Sequence, residues 1–206
     1  MSNDPRFIHL RSHSEYSLLE GALRLKKLPG LCRDAGMPAL ALTDTNNMFA
    51  ALEFSVAMSG AGVQPILGCQ VDVEYVQTRP GEKPRDPAPM VLLAQSETGY
   101  ENLMKLNSCL YIDKAGALPQ VTLDELEAHS ADVICLTGGA AGPVGMLLQT
   151  GQRSAAEALM ARGEVAFVSR VHVGDTGHRD VVLCAVFAQR EVFQCRTRAL
   201  DLRRIV

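Results

Sequence analysis

The residues best placed for chemistry lie near the start of the chain, where the apolar pair Phe7-Ile8 runs into His9, Arg11 and His13. Side chains two apart on a strand share a face, so these three are expected to project together from one strand end. Imidazoles placed that way can ligate a metal, and a guanidinium can bind carboxylate or phosphate bidentately. The plainer reading is a strand end at which His9 and His13 are simply hydrogen-bonded.

Other candidates follow. Asp44 and Asn46 come just after the apolar run Ala39–Thr43; both are good loop formers, and a lone aspartate there suits a helix cap better than a ligand. Asp72 and Glu74 alternate with Val71, Val73 and Tyr75, which predicts a solvated strand face rather than an acid–base pair. Gly138–Gly145 is rich in glycine and leads into a helix, so its amides could bind an anion. It lacks both G-x-G-x-x-G and the P-loop Gly-Lys-Ser/Thr, and a tight turn is the alternative. His129, His172 and His178 have no visible partners.

The elements that must position these residues alternate in type. Short apolar runs at Ala39–Thr43, Met90–Ala94 and Val133–Thr137 suit buried strands, and Ile66–Tyr75 supplies another. Helices are expected over about 23–35, 49–59, 99–111 and 154–162. In the first, Pro29 implies a kink or a start near the proline, and Gly36 caps its end. In the second, Phe49, Leu52, Val56 and the small alanines should form the packing face; in the third, Leu103, Leu106 and Leu110. Thr122-Leu-Asp-Glu125 is a capping box opening a short helix. Residues 78–89 hold four prolines and read as a loop. Strand, loop and helix in repetition predict an α/β fold with mostly parallel strands and functional groups at the strand C-terminal ends.

Composition narrows the classes. With 206 residues, 47% of them hydrophobic, the chain can bury one real core. A net charge of −3 gives no direct nucleic-acid signal, and the lack of tryptophan argues against base-stacking platforms. The six cysteines have no C-x-x-C spacing, which fits a reducing cytoplasm rather than a zinc finger. No apolar run approaches the roughly 20 residues of a membrane span. Charge is uneven: residues 1–150 carry 11 Lys/Arg against 17 Asp/Glu, and residues 151–206 carry 9 against 6, with every base there an arginine.

The stretch Phe7–Gly21, together with Leu42–Phe49 and Ile66–Gln70, resembles the PHP (polymerase and histidinol phosphatase) domain, in the form found at the N-terminus of bacterial replicative DNA polymerase III alpha subunits. Gly36-Met-Pro38, Gly62-Val-Gln-Pro-Ile66, Gly99-Tyr-Glu-Asn-Leu103 and Leu136-Thr-Gly-Gly139 extend the likeness in the family's order. It covers roughly 7–162 and implies a distorted (β/α)7 barrel, here incomplete at its C-terminus.

The resemblance also implies what the site should hold. Metal-dependent members carry H-x-H then Ser or Thr, T-D-H, and Gly-x-Glu. This chain has Arg11 and His13 at the first, Thr45 after Asp44 at the second, and Gln70 at the third. Arginine offers only donors, and a neutral amide is a poor anchor for Zn or Mn. Three ligand positions are thus degenerate, at Arg11, Thr45 and Gln70; His13 is retained, with His9 and Asp44 adjacent.

The expectation is a PHP module of a DNA polymerase III alpha subunit, a DNA-directed DNA polymerase of the nucleotidyltransferase class, with no polymerase active site or catalytic residue of its own and no cofactor. Its expected partners are the proofreading exonuclease subunit and the remainder of the replicative polymerase. The alternative is a metal-dependent phosphoesterase or 3'–5' exonuclease using Zn or Mn around His13, Asp44 and Glu74. Residues 1–162 form the expected domain. Residues 163–206 are an atypical arginine-rich tail, read as out-of-frame or truncated coding sequence, and the missing barrel strands predict marginal stability.

Overall fold

The computed structural model describes residues 7–76, 85–112, 114 and 118–166. The expected strand at Phe7–His13 is absent, because its backbone bonds are irregular. Ala41 N donates to His9 O at 2.9 Å and Thr43 N to Ser12 O at 2.9 Å, but Ser12 N is taken by the Thr43 hydroxyl and Ser14 N by the Asp44 carboxylate. Side chains thus take the bonds that a regular ladder would need.

A single 3-10 turn, Leu25–Lys27, leads into α1, Leu28–Asp34, with Pro29 in its first turn. The helix therefore starts at the proline and is not kinked by it. β1, Ala39–Leu42, is buried along its whole length. α2, Ala51–Gly60, returns the chain to β2, Gln64–Glu74. β3 is Ala88–Ala94, and α3, Glu97–Cys109, is capped by the Ser96 hydroxyl. β4, Val121–Thr122, leads directly into α4, Leu123–Ala128, which opens on the expected capping box with both reciprocal bonds present. β5 is Val133–Leu136, followed by α5, Pro143–Gln149, and α6, Arg153–Ala166.

The sheet is mixed, in the order β1-β2-β3-β5, with β4 also on β2. β1–β2 and β2–β4 are parallel; β2–β3 and β3–β5 are antiparallel. The first parallel pair is joined through α2, as a crossover requires, whereas β2 and β3, consecutive in the chain, pair antiparallel. β2 is the central strand, eleven residues long with three neighbours. Among the described residues the sheet does not close into a ring.

One layer of core packs α1 and α2 on β1 through Leu28, Cys32, Leu40, Leu42, Phe54 and Met58. A second packs α3 and α4 on β2, β3 and β5 through Leu92, Leu103, Leu106, Val121 and Cys135. The opposite face of the sheet carries Ala39, Ala41, Ile66, Val91, Leu93 and Leu136.

The packing face of α2 differs from expectation. Leu52 is 77% exposed and Val56 66%, while Phe54 is 1% exposed and Met58 is fully buried. Apolar residues lie on both sides of α2, with Glu53, Ser55 and Ser59 scattered among them, so periodicity could not choose a side; contact with β1 and β2 does. The α3 stripe of Leu103, Leu106 and Leu110 is buried as expected.

The glycine-rich segment is built by close approach. A Cβ at Gly142 would stand 1.7 Å from Thr137 O, and one at Gly138 2.1 Å from Pro89 O. Gly138 also has φ of 77°, a backbone that favours glycine. No described helix is long and apolar enough to cross a membrane. The tail from residue 167 onward, with His172 and His178, lies outside the described residues.

Candidate functional site

The site forms where β1 ends. Parallel pairing with β2 runs from Ala39↔Gln64 to Leu42↔Leu67 and reappears as the bridge Thr45↔Gln70. Between these rungs, Thr43 and Asp44 turn toward the segment that precedes β1. Alternation places Gln70 and Asp72 on the same face of β2 as Ile66.

Asp44 is the structural hub and is 2% exposed. Its Oδ1 accepts from Ser14 N and Ser17 Oγ, both at 2.6 Å, and its Oδ2 accepts from Ser14 Oγ at 2.7 Å. Its carbonyl accepts from Gln70 N at 3.0 Å. Asp44 therefore does not cap α2, whose N-cap, Ala50, has no side-chain bond. It pins the loop 14–21 onto the end of β1. Ser17 Oγ continues the chain of bonds by accepting from Thr45 N at 3.0 Å.

Above this hub three side chains meet at Thr45. Its Oγ1 lies 2.6 Å from Glu20 Oε2, 3.2 Å from His13 Nδ1 and 3.2 Å from Gln70 Nε2. His13 Nδ1 is also 3.7 Å from Glu20 Oε2. Burial, then the charge of Arg11, lowers the His13 pKa, against the opposing pull of Glu20 and Asp44. Gln70 is 4% exposed, and its Oε1 has no hydrogen-bond partner among the described residues.

A second pair flanks the cluster. Asn46 Nδ2 donates to Asp72 Oδ2 at 2.9 Å, and Asp72 N donates to Asn46 Oδ1 at 3.0 Å. Burial, and more weakly Glu20, raises the Asp72 pKa against the Asn46 bond. Tyr111 Oη reaches over to Asn46 O at 2.8 Å. Beneath, the Cys69 thiol bonds the carbonyls of Asp44 and Asn47, and burial pushes its pKa up to about 12.

Of the residues singled out from the sequence, His13, Thr45 and Gln70 come together, with Asp44 directly below. Arg11 is exposed and acts on His13 through its charge. His9 stays outside the cluster, its ring edge-on to Phe7 at 4.6 Å. Asp72 pairs with Asn46 rather than with Glu74. Glu20 and Ser17 are bonding partners in the cluster that the sequence did not single out, whereas Ser14 stands at the Ser/Thr position of the family motif. The available signal was Gly21, where a Cβ would stand 1.8 Å from Ser14 O, so that only glycine lets the loop fold back on itself.

A PHP domain family model matches residues 9–172, ten residues past the boundary expected at 162. The chain is 41% identical over 169 residues to the DNA polymerase III subunit alpha of Caulobacter vibrioides, covering 81% of this chain and 15% of that protein. The Treponema pallidum subunit is 39% identical over 73% of this chain and 13% of its own length. The Escherichia coli subunit is 35% identical over 82% and 14%. The chain thus spans about one seventh of the length of the curated relatives it matches. A solved amidohydrolase from Chromobacterium violaceum overlays with a TM-score of 0.35 at 16% identity, covering 75% of this chain and 54% of that one.

Proposed function

The chain belongs to the PHP domain family, and from that premise we propose that it is the PHP module of a replicative DNA polymerase III alpha subunit, acting as a docking scaffold rather than as a hydrolase. Its partner in this reading is the proofreading exonuclease subunit, together with the remainder of the polymerase. The likeness to alpha subunits at up to 41% identity supports the parentage.

The observation that carries the scaffold reading is the bonding of the site's own side chains. A divalent cluster needs several free carboxylates or imidazoles. Here both Asp44 oxygens are occupied by serine donors, Thr45 and Gln70 present a hydroxyl and an amide, and Arg11 contributes a cation. No group of three His, Cys, Asp or Glu able to hold a metal ion occurs among the described residues. These residues do not fit a divalent metal cluster. They do fit a rigid joint that fixes the loop 14–21 on the sheet.

The test is metal content of the purified chain after incubation with Zn and Mn, alongside circular dichroism and titration with the exonuclease subunit. The expected result is a folded, metal-poor chain that binds the exonuclease. Stoichiometric metal with hydrolysis of a phosphate ester would establish the phosphoesterase instead.

A further inference from the structure

The Thr45 hydroxyl owns one proton and two lone pairs, and it has three partners. The Glu20 carboxylate can only accept, so the proton goes to Glu20 Oε2, at 2.6 Å, the short distance of a charge-assisted bond. Gln70 Nε2, at 3.2 Å, donates into one lone pair. The reversed amide would set Gln70 Oε1 against a hydroxyl whose proton is already given away, so Nε2 must face Thr45. That orientation leaves Oε1 without a partner among the described residues. His13 Nδ1, at 3.2 Å, can then join only as a donor, into the remaining lone pair.

We propose that the Thr45 hydroxyl is a saturated three-way joint that positions His13 as its Nδ1–H tautomer, with the Nε2 lone pair left free. The joint ties three separate stretches, the loop carrying His13 and Glu20, the exit of β1, and β2. Burial and the Arg11 charge, which oppose protonation of His13, are consistent with a neutral ring whose tautomer the joint selects. The inference rests on the metal-free reading of the site, since an ion on His13 would take over one ring nitrogen.

The experiment is long-range 1H–15N correlation on the full chain with 15N-labelled histidine, in chelator-treated buffer at about pH 8, above the ordinary histidine pKa of about 6.5. His13 signals are identified with His13→Gln. The expected result is a protonated Nδ1 and an unprotonated Nε2 in the wild type. Thr45→Ser should keep this form, and Thr45→Val should lose it. A wild-type His13 in the Nε2–H form would overturn the proposal, as would an unchanged Nδ1–H form in Thr45→Val. If Thr45→Val fails to fold by circular dichroism, Thr45→Ser decides, and loss of the Nδ1–H form there overturns the joint. Adding zinc to the same wild-type sample separates the two readings. Stoichiometric zinc on His13 sinks the scaffold reading, whereas a wrong tautomer before zinc is added sinks only the joint.

Discussion

Ser14 holds both oxygens of the Asp44 carboxylate, its backbone N–H donating to Oδ1 at 2.6 Å and its hydroxyl to Oδ2 at 2.7 Å. Ser14 is fully buried and Ser17, the third donor, is 2% exposed. Asp44→Ala would strand three donors away from water. Stranded groups and lost bonds to a charged acceptor each cost about 1.5–3 kcal/mol, so a loss on the order of 3 kcal/mol or more is expected in urea denaturation. Asp44→Asn keeps the shape but turns one acceptor into a donor and should fall between the two. A loss below about 1 kcal/mol for Asp44→Ala would remove Asp44 from its place as the hub.

The two sides of α2 should respond oppositely. Phe54→Ala empties a buried ring site and is expected to cost about 3–5 kcal/mol. Leu52→Lys changes an exposed position and should stay within about 0.5 kcal/mol. Denaturation midpoints of the two variants check the assignment, and a large loss for Leu52→Lys would show that its side of the helix is covered.

The lowered His13 pKa gives a signed pH dependence. The folded chain resists protonating His13, so below about pH 6.5 the unfolded chain binds the proton more readily. His13 therefore withholds no stability above that pH and takes some away as pH falls through the folded-state pKa. Arg11, Glu20 and Asp44 are the charges acting on it. Between about pH 7.5 and 5.5 the wild type should lose more stability than His13→Gln. Parallel curves would contradict the shift.

Asp72 runs the other way. Its raised pKa means that its favourable contribution is present when it is protonated and is lost as pH rises through the folded-state pKa. Asp72→Asn should match or exceed the wild type in stability at neutral pH, and the difference should close in acid. A neutral-pH loss above about 1 kcal/mol would mean that the Asn46 bond outweighs the burial of the charge.

Thr122→Ala tests the capping box. The Thr122 hydroxyl accepts from Glu125 N, and Glu125 returns a bond to Thr122 N at 2.7 Å. Its removal should cost about 1 kcal/mol, within the usual range for caps, with α4 the first helix to lose amide protection in hydrogen exchange.

The α/β class, the buried strands at 39–42 and 133–136, the α3 stripe and the capping box were legible because each is a local pattern. Burial on both faces leaves an unbroken apolar run, and a cap is written within four residues. The site was half legible. His13, Thr45 and Gln70 stood out against the family pattern, but Glu20 did not, because its role depends on a loop closing back on Thr45, 25 residues further along the sequence. The face of α2 differs from expectation because its apolar residues lie on both sides and its polar ones, Glu53, Ser55 and Ser59, are scattered, leaving periodicity little to distinguish. The strand at 7–13 was misread because alternation predicts facing, not pairing, and Thr43 and Asp44 take the bonds.

The bridge between Thr45 and Gln70 keeps the same 25-residue offset as the four rungs from Ala39↔Gln64 to Leu42↔Leu67. The Thr45 cluster is therefore a continuation of the sheet's own register and not a separate construction. A slip of one residue would turn Gln70 to the other face, and the buried rungs below forbid that slip. The backbone shape of the site is thus inherited from the core, while its chemistry is written by a few side chains that the core does not constrain. Such a site can lose or change its chemistry by single substitutions and still present the same contour to a partner.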